Sequence, residues 1–431
     1  MEEGNGLRRI LSCALLLFLL LGNARAAVSV RMDDTAALLA EDGAAIVPAG
    51  SYEDIVPLGG GLFAAASDAR LYALMDETGA LRTDSIYDEF RLQNDTLFAL
   101  RGGAWGLMAV DGAELGAFEY TEIEADGEGN CWALREDVFG SALMLLATDG
   151  SARDSGVRVL RIGEASEGLL PVQLAVNRWG CCDPSGSMAI PAEYEYIGSF
   201  TSGRAPAVSG GMYGAIDRSG EWVVAPAYDF LEISEGGFML AANADGVRLL
   251  DADGGERAFH PGENIYAALA GEGYIIGDGD SLRIFDAAGT LLEETAPDVV
   301  ISEGVGGQLV LAEGMWGERC VRLLGTDEAY QNLYPLGTAN GGALYACMQV
   351  NAARYENDLL REIQISVDMD TARYGVVNGA GEQILPCDYA SIEYLSDDRL
   401  LVRTEDQWRM IDSAGKVYWR RRITQTEAPS S

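Results

Sequence analysis

The residues best suited to chemistry in this sequence are its cysteines. Of the seven cysteines, one lies within the first 26 residues, and two of the others are adjacent. The later ones are Cys131, Cys181, Cys182, Cys320, Cys347 and Cys387. Zinc sites need Cys or His at paired spacings, which this set lacks, and the spacings show no disulfide framework. We expect isolated buried thiols, with at least one disulfide, or a redox or metal role, as the alternatives.

Histidine and carboxylate catalysis give no clear candidate. The only histidine, His260, stands beside Pro261 and is expected in a loop, and no Gly-x-Ser-x-Gly elbow is present. Paired carboxylates can act as general acid and base in a glycosidase, but among 67 acidic residues some pairing is unavoidable. The acidic segments 251–256 and 278–281 lack the full EF-hand pattern, so we expect solvated turns rather than calcium sites. The sequence therefore predicts no catalytic residue, no metal ligand and no cofactor.

An internal repeat of about 34 residues defines the elements that position any site. The repeat is marked by Asp or Asn followed within three residues by Gly. The pairs are Asp42/Gly43, Asp76/Gly79, Asp111/Gly112, Asp149/Gly150, Asp183/Gly186, Asp217/Gly220, Asp251/Gly254, Asp286/Gly289, Asn378/Gly381 and Asp412/Gly415. The Asp accepts backbone hydrogen bonds across a turn, and the Gly takes a left-handed conformation at low steric cost.

The residues around each turn also recur. An aromatic-Gly pair precedes the turn, and a short apolar strand ending in Pro and an aromatic follows it, as in "MYGAIDRSGEWVVAPAY" from Met212. Alternation with a period of two indicates strands on both sides of the turn. The ring fills space between sheets, and the Gly lets another backbone approach. The predicted structural anchors are Trp105, Gly106, Trp179, Gly180, Asp183, Gly186, Tyr213, Gly214, Asp217, Gly220, Tyr374, Gly375, Asp412 and Gly415.

These units predict an all-β protein of tandem antiparallel repeats. Each unit supplies three strands and a short fourth near residues 228–233, and it must stack on its neighbours to bury both faces. About eleven units span residues 27–419, and we expect one or two β-propeller-like rings. An opening half-unit at residues 44–52 is expected to complete a blade with the C-terminal strand at 416–419. The alternative is an open, solenoid-like β array.

The combination of aromatic-Gly, Asp-x-x-Gly and Pro-x-Tyr resembles the bacterial WG-repeat family. The resemblance is clearest in "RWGCCDPSGSMAIPAEY" from Arg178, in the unit from Met212 and in "RYGVVNGAGEQILPCDY" from Arg373. It is looser at Trp316-Gly317. It implies an exported or surface-associated β-repeat protein, often thought of as an interaction module. It implies no activity.

The first 26 residues predict an export signal. Arg8 and Arg9 precede an apolar run at residues 10–21, and Ala24-Arg25-Ala26 follows it, so cleavage is expected after Ala26. A retained anchor is the alternative, but the run is shorter than the roughly 20 residues that span a bilayer. The predicted location is secreted or otherwise extracytoplasmic. A net charge of −37 disfavours nucleic acid and anionic membrane surfaces as partners.

An insertion at residues 352–373 is the first candidate for a binding site, because loops on rigid scaffolds commonly carry function. It is either an extended hairpin or a short helix around residues 357–363. The tail, 420–431, is expected to be flexible. We therefore predict a non-catalytic repeat protein that binds a protein or a cell-surface glycan. The alternative is a carboxylate-dependent hydrolase, in which acids and aromatics would gather in one central pocket.

Overall fold

The structure is a computed structural model, and it describes residues 27–32, 35–40, 42–67, 70–93, 95–262, 266–314, 320–357, 362–396 and 398–423. The predicted export signal, Trp316-Gly317 and the end of the tail lie outside these ranges. The described residues form eleven antiparallel sheets and one short 3-10 turn, Val305–Gly307. The all-β class predicted from the repeat is confirmed.

The sheets follow one another along the chain, and neighbouring strands in each sheet are consecutive in sequence. Sheet 1 contains β1 Ala27–Met32, β2 Thr35–Ala40 and β3 Ala45–Tyr52. Sheet 2 contains β4 Asp54–Gly59, β5 Leu62–Ala66 and β6 Ala73–Asp76. Sheet 3 contains β7 Glu89–Gln93, β8 Thr96–Arg101, β9 Ala104–Met108 and β10 Glu114–Tyr120. Sheet 4 contains β11 Glu122–Ala125, β12 Cys131–Asp137, β13 Gly140–Leu146 and β14 Ala152–Val159.

The next four sheets all have four strands. Sheet 5 contains β15 Arg161–Ile162, β16 Leu170–Ala175, β17 Arg178–Cys182 and β18 Met188–Tyr194. Sheet 6 contains β19 Tyr196–Ile197, β20 Arg204–Ser209, β21 Met212–Asp217 and β22 Trp222–Tyr228. Sheet 7 contains β23 Phe230–Ile233, β24 Met239–Asn243, β25 Gly246–Leu250 and β26 Glu256–Pro261. Sheet 8 contains β27 Tyr266–Ala270, β28 Gly273–Gly277, β29 Leu282–Phe285 and β30 Leu291–Thr295.

The last three sheets include the longest strands. Sheet 9 contains β31 Val300–Glu303, β32 Leu309–Glu313 and β33 Cys320–Leu323. Sheet 10 contains β34 Asn332–Ala339, β35 Gly342–Asn357, β36 Glu362–Asn378 and β37 Gln383–Tyr389. Sheet 11 contains β38 Ser391–Ser396, β39 Arg399–Arg403, β40 Gln407–Ile411 and β41 Val417–Arg422. Strand β41 runs three residues beyond the predicted end of the array, because Arg420–Arg422 pair with residues 407–409.

Apolar packing between neighbouring sheets closes the sheets into one ring. A separate cluster of buried apolar side chains fills each interface from sheet 1 to sheet 11. An eleventh cluster joins the ends of the array, where Val30 and Leu39 of sheet 1 pack with Leu401 and Trp408 of sheet 11. The molecule is therefore an eleven-bladed β-propeller. The open array, and a division into two rings, are wrong.

The ring does not close through a shared blade, contrary to the sequence-based prediction. Strand β3 pairs with β2, with Val47 opposite Leu38, and β41 pairs with β40, with Trp419 opposite Met410. Residues Ala27–Met32 supply β1, which pairs with the other side of β2, so sheet 1 has three strands of its own and takes none from the C-terminus. The segment expected to give a short fourth strand near residue 230 is instead the first strand of the following sheet.

A bulge opposite the aromatic-Gly pair explains the spacing of the repeat motif. In sheet 6, Tyr213 pairs with Tyr228 and Ala215 pairs with Val224, so one residue of β21 faces three residues of β22. The single residue is Gly214, and a Cβ added there would lie 2.9 Å from the backbone nitrogen of Pro226. Because a bulged residue has no partner in the ladder, proline fits there. Sheets 5 and 10 repeat this register at Gly180 and Gly375.

In several blades, the turn glycine packs against the fourth strand of the preceding blade. Gly220 contacts Ile190, and Gly254 contacts Val224, which holds the same position in its own strand. At the junction between the ends of the chain, Gly43 packs in the same way against Trp419. One contact type therefore joins successive blades and also closes the ring.

The strand order divides the ring into two faces. Because the strands are antiparallel and the links between blades are short, the turns between second and third strands lie on the same face as those links. We call this the hairpin face; it carries the turns β12–β13, β16–β17, β20–β21 and β35–β36. The opposite, or turn, face carries the Asp-Gly turns between third and fourth strands.

Candidate functional site

The predicted anchors are distributed around the ring and do not form a common site. Each aromatic lies on the third strand of its blade, half-buried against a neighbouring element: the Trp179 ring is 5.8 Å from that of Tyr196, and the Arg91 guanidinium lies 5.0 Å from the Trp105 ring. The turn aspartates bind their own turns: Oδ1 of Asp217 accepts from the amides of Ser219 and Glu221. The remaining anchors, Gly106, Asp183, Gly186, Tyr374, Asp412 and Gly415, occupy equivalent positions in sheets 3, 5, 10 and 11.

The adjacent cysteines face opposite sides of their sheet. Cys181 packs in the cluster between sheets 5 and 6, and Cys182 in the cluster between sheets 4 and 5. Burial raises the pKa of each thiol to about 12. They cannot act on a common reactant, and both behave as small core residues.

The other thiols have different environments. Cys131 is buried, and Cys320 is exposed. The sulfurs of Cys347 and Cys387 lie 3.5 Å apart, although 40 residues separate them in sequence. The expectation of isolated buried thiols is therefore wrong for three of the six.

His260 lies in a strand rather than in the expected loop. It pairs with Val247 from the edge of sheet 7, where the following Pro261 needs no donor to a further strand. Its Nε2 is 3.0 Å from the Tyr274 hydroxyl, and its ring is 4.7 Å from that of Phe285. Burial, followed by repulsion from Arg283, lowers the pKa of the imidazole. The residue is part of the interface between sheets 7 and 8.

The acidic turns use their carboxylates locally. Asp251 Oδ1 accepts from the amides of Asp253 and Gly255, and Asp278 accepts from Asp280 and Ser281 while pairing with Arg283. Within the described ranges, no three His, Cys, Asp or Glu side chains come together in a way that could hold a metal ion.

The most distinctive feature of the hairpin face is the hairpin β35–β36. Its strands have 16 and 17 residues, and β34 and β37 pair only with their lower parts. Above a bulge between the Gln349/Arg373 and Asn351/Asp368 pairs, the two strands continue as a ribbon, and no third strand among the described residues pairs with it. Of the two forms predicted for the insertion, the extended hairpin is the one present; residues 358–361 lie outside the described ranges.

The hairpin face also carries the most exposed large apolar side chains of the described residues. Val138 and Phe139, at the β12–β13 turn, are 91% and 83% exposed, and Val176, at the β16–β17 turn of the next blade, is 77% exposed. These residues were not predicted from the sequence. The available signal was that other units have Gly-Gly at this turn, as at Gly102 and Gly210.

A polar cavity of about 520 Å³ lies where the long hairpin leaves sheet 10. The Gln331 amide bridges its wall, since Nε2 donates to the Val350 carbonyl and Oε1 accepts from the Val350 amide. The cavity is also lined by the polar or reactive side chains of Thr371, Arg373 and Cys387. Polar and reactive groups thus meet at the base of the hairpin, on the same face as the exposed tips.

Within the described residues, neither this cavity nor a second one gathers the acids and aromatics expected of a hydrolase. The second cavity, of about 630 Å³ between sheets 8 and 9, contains Glu272 and Asp286. Backbone hydrogen bonds from its own turn, first that of Thr290, hold the pKa of Asp286 below its usual value, so Asp286 is a poor proton donor. Burial raises the pKa of Glu124 and of Glu393, but these lie on the first strands of sheets 4 and 11, which are not neighbours.

Comparison with protein families confirms the resemblance predicted from the motifs. Residues 179–213, 213–243 and 374–408 match the family described as WG containing repeat. The chain therefore carries WG repeats in sheets 5, 6, 7, 10 and 11. A comparison with curated proteins found no match.

Several solved structures are similar to this chain at low identity. BamB from Moraxella catarrhalis is 13% identical over 60% of this chain and 92% of its own, with a TM-score of 0.32. A eukaryotic initiation factor is 10% identical over 93% and 96%, with a TM-score of 0.41. The extracellular domain of a putative one-component system from B. thetaiotaomicron is 12% identical over 94% and 77%, with a TM-score of 0.24. Likeness at this level does not bear on function.

No helix within the described residues is long and apolar enough to cross a membrane.

Proposed function

We propose that this WG-repeat β-propeller is a non-catalytic, exported protein whose hairpin face binds a protein or a cell-surface glycan. The observation that carries the proposal is the projection of β35–β36 from that face as a two-stranded ribbon. Neither β34 nor β37 pairs with this ribbon, so the described strands of sheet 10 are complete without it and its length needs another reason. Loops and hairpins on a rigid scaffold are the usual place for recognition.

The exposed apolar side chains at the turns of the hairpin face also support this face as the binding site. A partner that covers the water-exposed side chains of Val138, Phe139 and Val176 lowers the free energy of the complex, by roughly 25 cal/mol per Å² of apolar surface buried. Large apolar side chains at neighbouring turns are typical of interaction sites. Proteins and glycans both bury apolar surface against aromatic and aliphatic side chains, so both remain in the proposal.

Shortening the hairpin tests the proposal directly. In sheet 10, Gln349 pairs with Arg373 at the position where Ser209 pairs with Met212 in sheet 6. In sheet 6 the two strands are joined there by the two-residue turn Gly210-Gly211. Replacing residues 350–372 with Gly-Gly therefore removes the ribbon within a register that the chain already uses. We expect at least a tenfold loss of binding to envelope fractions of the producing cell, with the melting transition retained. Unchanged binding would reject the hairpin as the site.

The exposed tips offer a matched pair of variants. Replacing Val138, Phe139 and Val176 with serine should weaken binding. The same change at Leu81 and Val110, which are exposed on the turn face, should leave it unchanged. Protease treatment of the envelope fraction distinguishes a protein partner, for which binding is lost, from a glycan, for which it remains.

The predicted export signal at residues 1–26 supports an extracytoplasmic location. If it is cleaved as proposed, the mature protein begins at Ala27, which mass spectrometry of the N-terminal peptide measures. A mature chain that retains residues 1–26 would contradict this part of the proposal.

A further inference from the structure

The position of Cys347 and Cys387 is set by the bulge in sheet 10. Cys347 pairs with Gly375 from one side, and Cys387 lies in the bulge that passes over the other side of the same glycine. A Cβ added at Gly375 would lie 2.9 Å from the Cys387 nitrogen, which shows how closely β37 approaches. Because the intervening residue has no side chain, thiols from strands two apart come within 3.5 Å.

The fold does not require cysteine at these positions. The equivalent residues across Gly180 are Val172 and Ala192, and those across Gly214 are Ala207 and Pro226. Small apolar residues therefore fill the same space in two other blades. Sheet 10 is the described blade in which both positions hold a thiol.

The two sulfurs differ in access. Cys347 is fully buried, whereas Cys387 is half-buried and lines the cavity at the base of the hairpin. The Gln383 amide nitrogen lies 3.4 Å from the Cys387 sulfur and 3.6 Å from the Cys347 sulfur. A reactant in the cavity can thus reach Cys387 first, with Cys347 directly behind it.

The electrostatic environment agrees with this order. The hydrogen bond from the Cys347 thiol, supported by the Gln383 amide, holds the pKa of Cys387 below its usual value. The same contact, together with burial, raises the pKa of Cys347. Because the thiolate is the nucleophile, Cys387 is the thiol poised to react.

We propose that Cys347 and Cys387 are a dithiol site that a disulfide-containing oxidant converts to an intramolecular disulfide. The Cys387 thiolate attacks one sulfur of the oxidant, so a mixed disulfide forms and the first thiol leaves with a proton. The Cys347 thiol then loses its proton and attacks Cys387, and the second thiol leaves. Two electrons pass from the cysteines to the oxidant, and the new bond requires the sulfurs to approach to about 2 Å. The bridge joins β35 to β37 and encloses the whole long hairpin.

Peptide mass spectrometry of the Cys320→Ser variant, titrated with glutathione disulfide, tests the proposal. The substitution removes the exposed thiol, while Cys131, Cys181 and Cys182 serve as buried internal references. We expect a peptide linked through residues 347 and 387, and alkylation of Cys387 in the reduced protein at least about tenfold faster than that of the references. Absence of the linked peptide at any ratio of oxidised to reduced glutathione would overturn the proposal.

Two further variants separate the roles of the sulfurs. In Cys347→Ala, whose small side chain suits the buried position, the mixed disulfide with glutathione should accumulate on Cys387. In Cys387→Ser, Cys347 should remain reduced. A mixed disulfide that persists on Cys387 in the presence of Cys347 would show a lone reactive thiol and contradict the pair. These outcomes do not depend on what the hairpin face binds.

Discussion

Gly214 shows how a single missing side chain sets the repeat register. Its α-carbon faces backbone atoms of β22, and an added Cβ would press against the Val224 carbonyl oxygen and lie 2.9 Å from the Pro226 nitrogen. Backbone atoms in a bulge cannot rotate away as a side chain can. We expect Gly214→Ala to lower the free energy of unfolding by about 1–3 kcal/mol, as for overpacked cores. Urea unfolding followed by tryptophan fluorescence measures the change.

Gly127 provides the control for this prediction. It lies outside the left-handed region, and nothing stands within 4 Å of a Cβ added there. Gly127→Ala should therefore change stability by no more than about 0.5 kcal/mol. If the two substitutions lowered the free energy of unfolding equally, the close approach of β22 could not explain why the motif has Gly after the aromatic.

His260 introduces a pH dependence through burial. Its pKa is lowered in the folded state, chiefly by burial and then by Arg283, while the neutral ring is 3.0 Å from the Tyr274 hydroxyl. Burial raises the pKa of Tyr274 to about 12, so the phenol keeps its proton in this range. The unfolded state then binds the imidazole proton more readily. The stabilisation from neutral His260 is complete above its unfolded pKa of about 6.5 and declines as the pH falls towards the lowered value.

We expect the native protein to lose more stability than His260→Gln between pH 7.5 and pH 5.5. Since the chain has one histidine, the difference between the two proteins isolates its titration from that of the carboxylates. Urea unfolding across this range measures it. Parallel pH profiles for the two proteins would contradict a lowered pKa at this site.

At the scale of the element, the Asp turn is a unit that tolerates a neutral replacement. Asp217 Oδ1 accepts from two turn amides and from the Ser219 hydroxyl, and Asn378 Oδ1 accepts from the equivalent amides in sheet 10. Asp217→Ala leaves these donors to solvent and should cost about 1–2 kcal/mol. Asp217→Asn should cost less than half as much. Thermal unfolding of both variants checks the order; equal losses would mean that the charge, rather than the acceptor geometry, holds the turn.

The turns were predictable because their residues act within five positions of one another. The aromatic, the turn Asp and the final Tyr recur at fixed spacing, and the structure places them in one hairpin. The place of the short first strands in the sheets was not predictable, since a strand such as Tyr196–Ile197 has only two residues and is ordered by the adjacent β20. Likewise, the meeting of Cys347 and Cys387 depends on a two-residue excess in β37 opposite Gly375. Aligning both cysteines to the repeat would have placed them in one blade, although not in contact.

At the scale of the whole molecule, the repeat predicts stacking but not closure. Every interface between consecutive blades joins segments that are near in sequence, and the same contacts would serve an open array or a ring. Closure depends on the curvature accumulated over eleven blades, which no single unit specifies. Closure is shown by the cluster that joins Val30 and Leu39 to Leu401 and Trp408, at opposite ends of the described chain.

This junction is the interface at which the chain does not connect the two blades. Trp419 packs against that cluster and against Gly43, as Val224 packs against Gly254 between sheets 6 and 7. Sheets 6 and 7, however, are also joined by the single residue Asp229, which keeps them together when packing weakens. Loss of either side chain removes about 2 kcal/mol of apolar packing, but only at the junction can the blades separate.

We therefore expect Trp419→Ala to open the ring locally and Val224→Ala to leave it closed. In hydrogen exchange followed by mass spectrometry, amides of β1–β3 and β38–β41 should exchange about tenfold or more faster in Trp419→Ala, while the other blades remain protected. Val224→Ala should lower overall stability without a selective increase in sheets 6 and 7. Uniformly faster amide exchange throughout the ring in Trp419→Ala would contradict this prediction. It would mean that the blades unfold as one unit and that the closing interface does not separate regions that unfold independently.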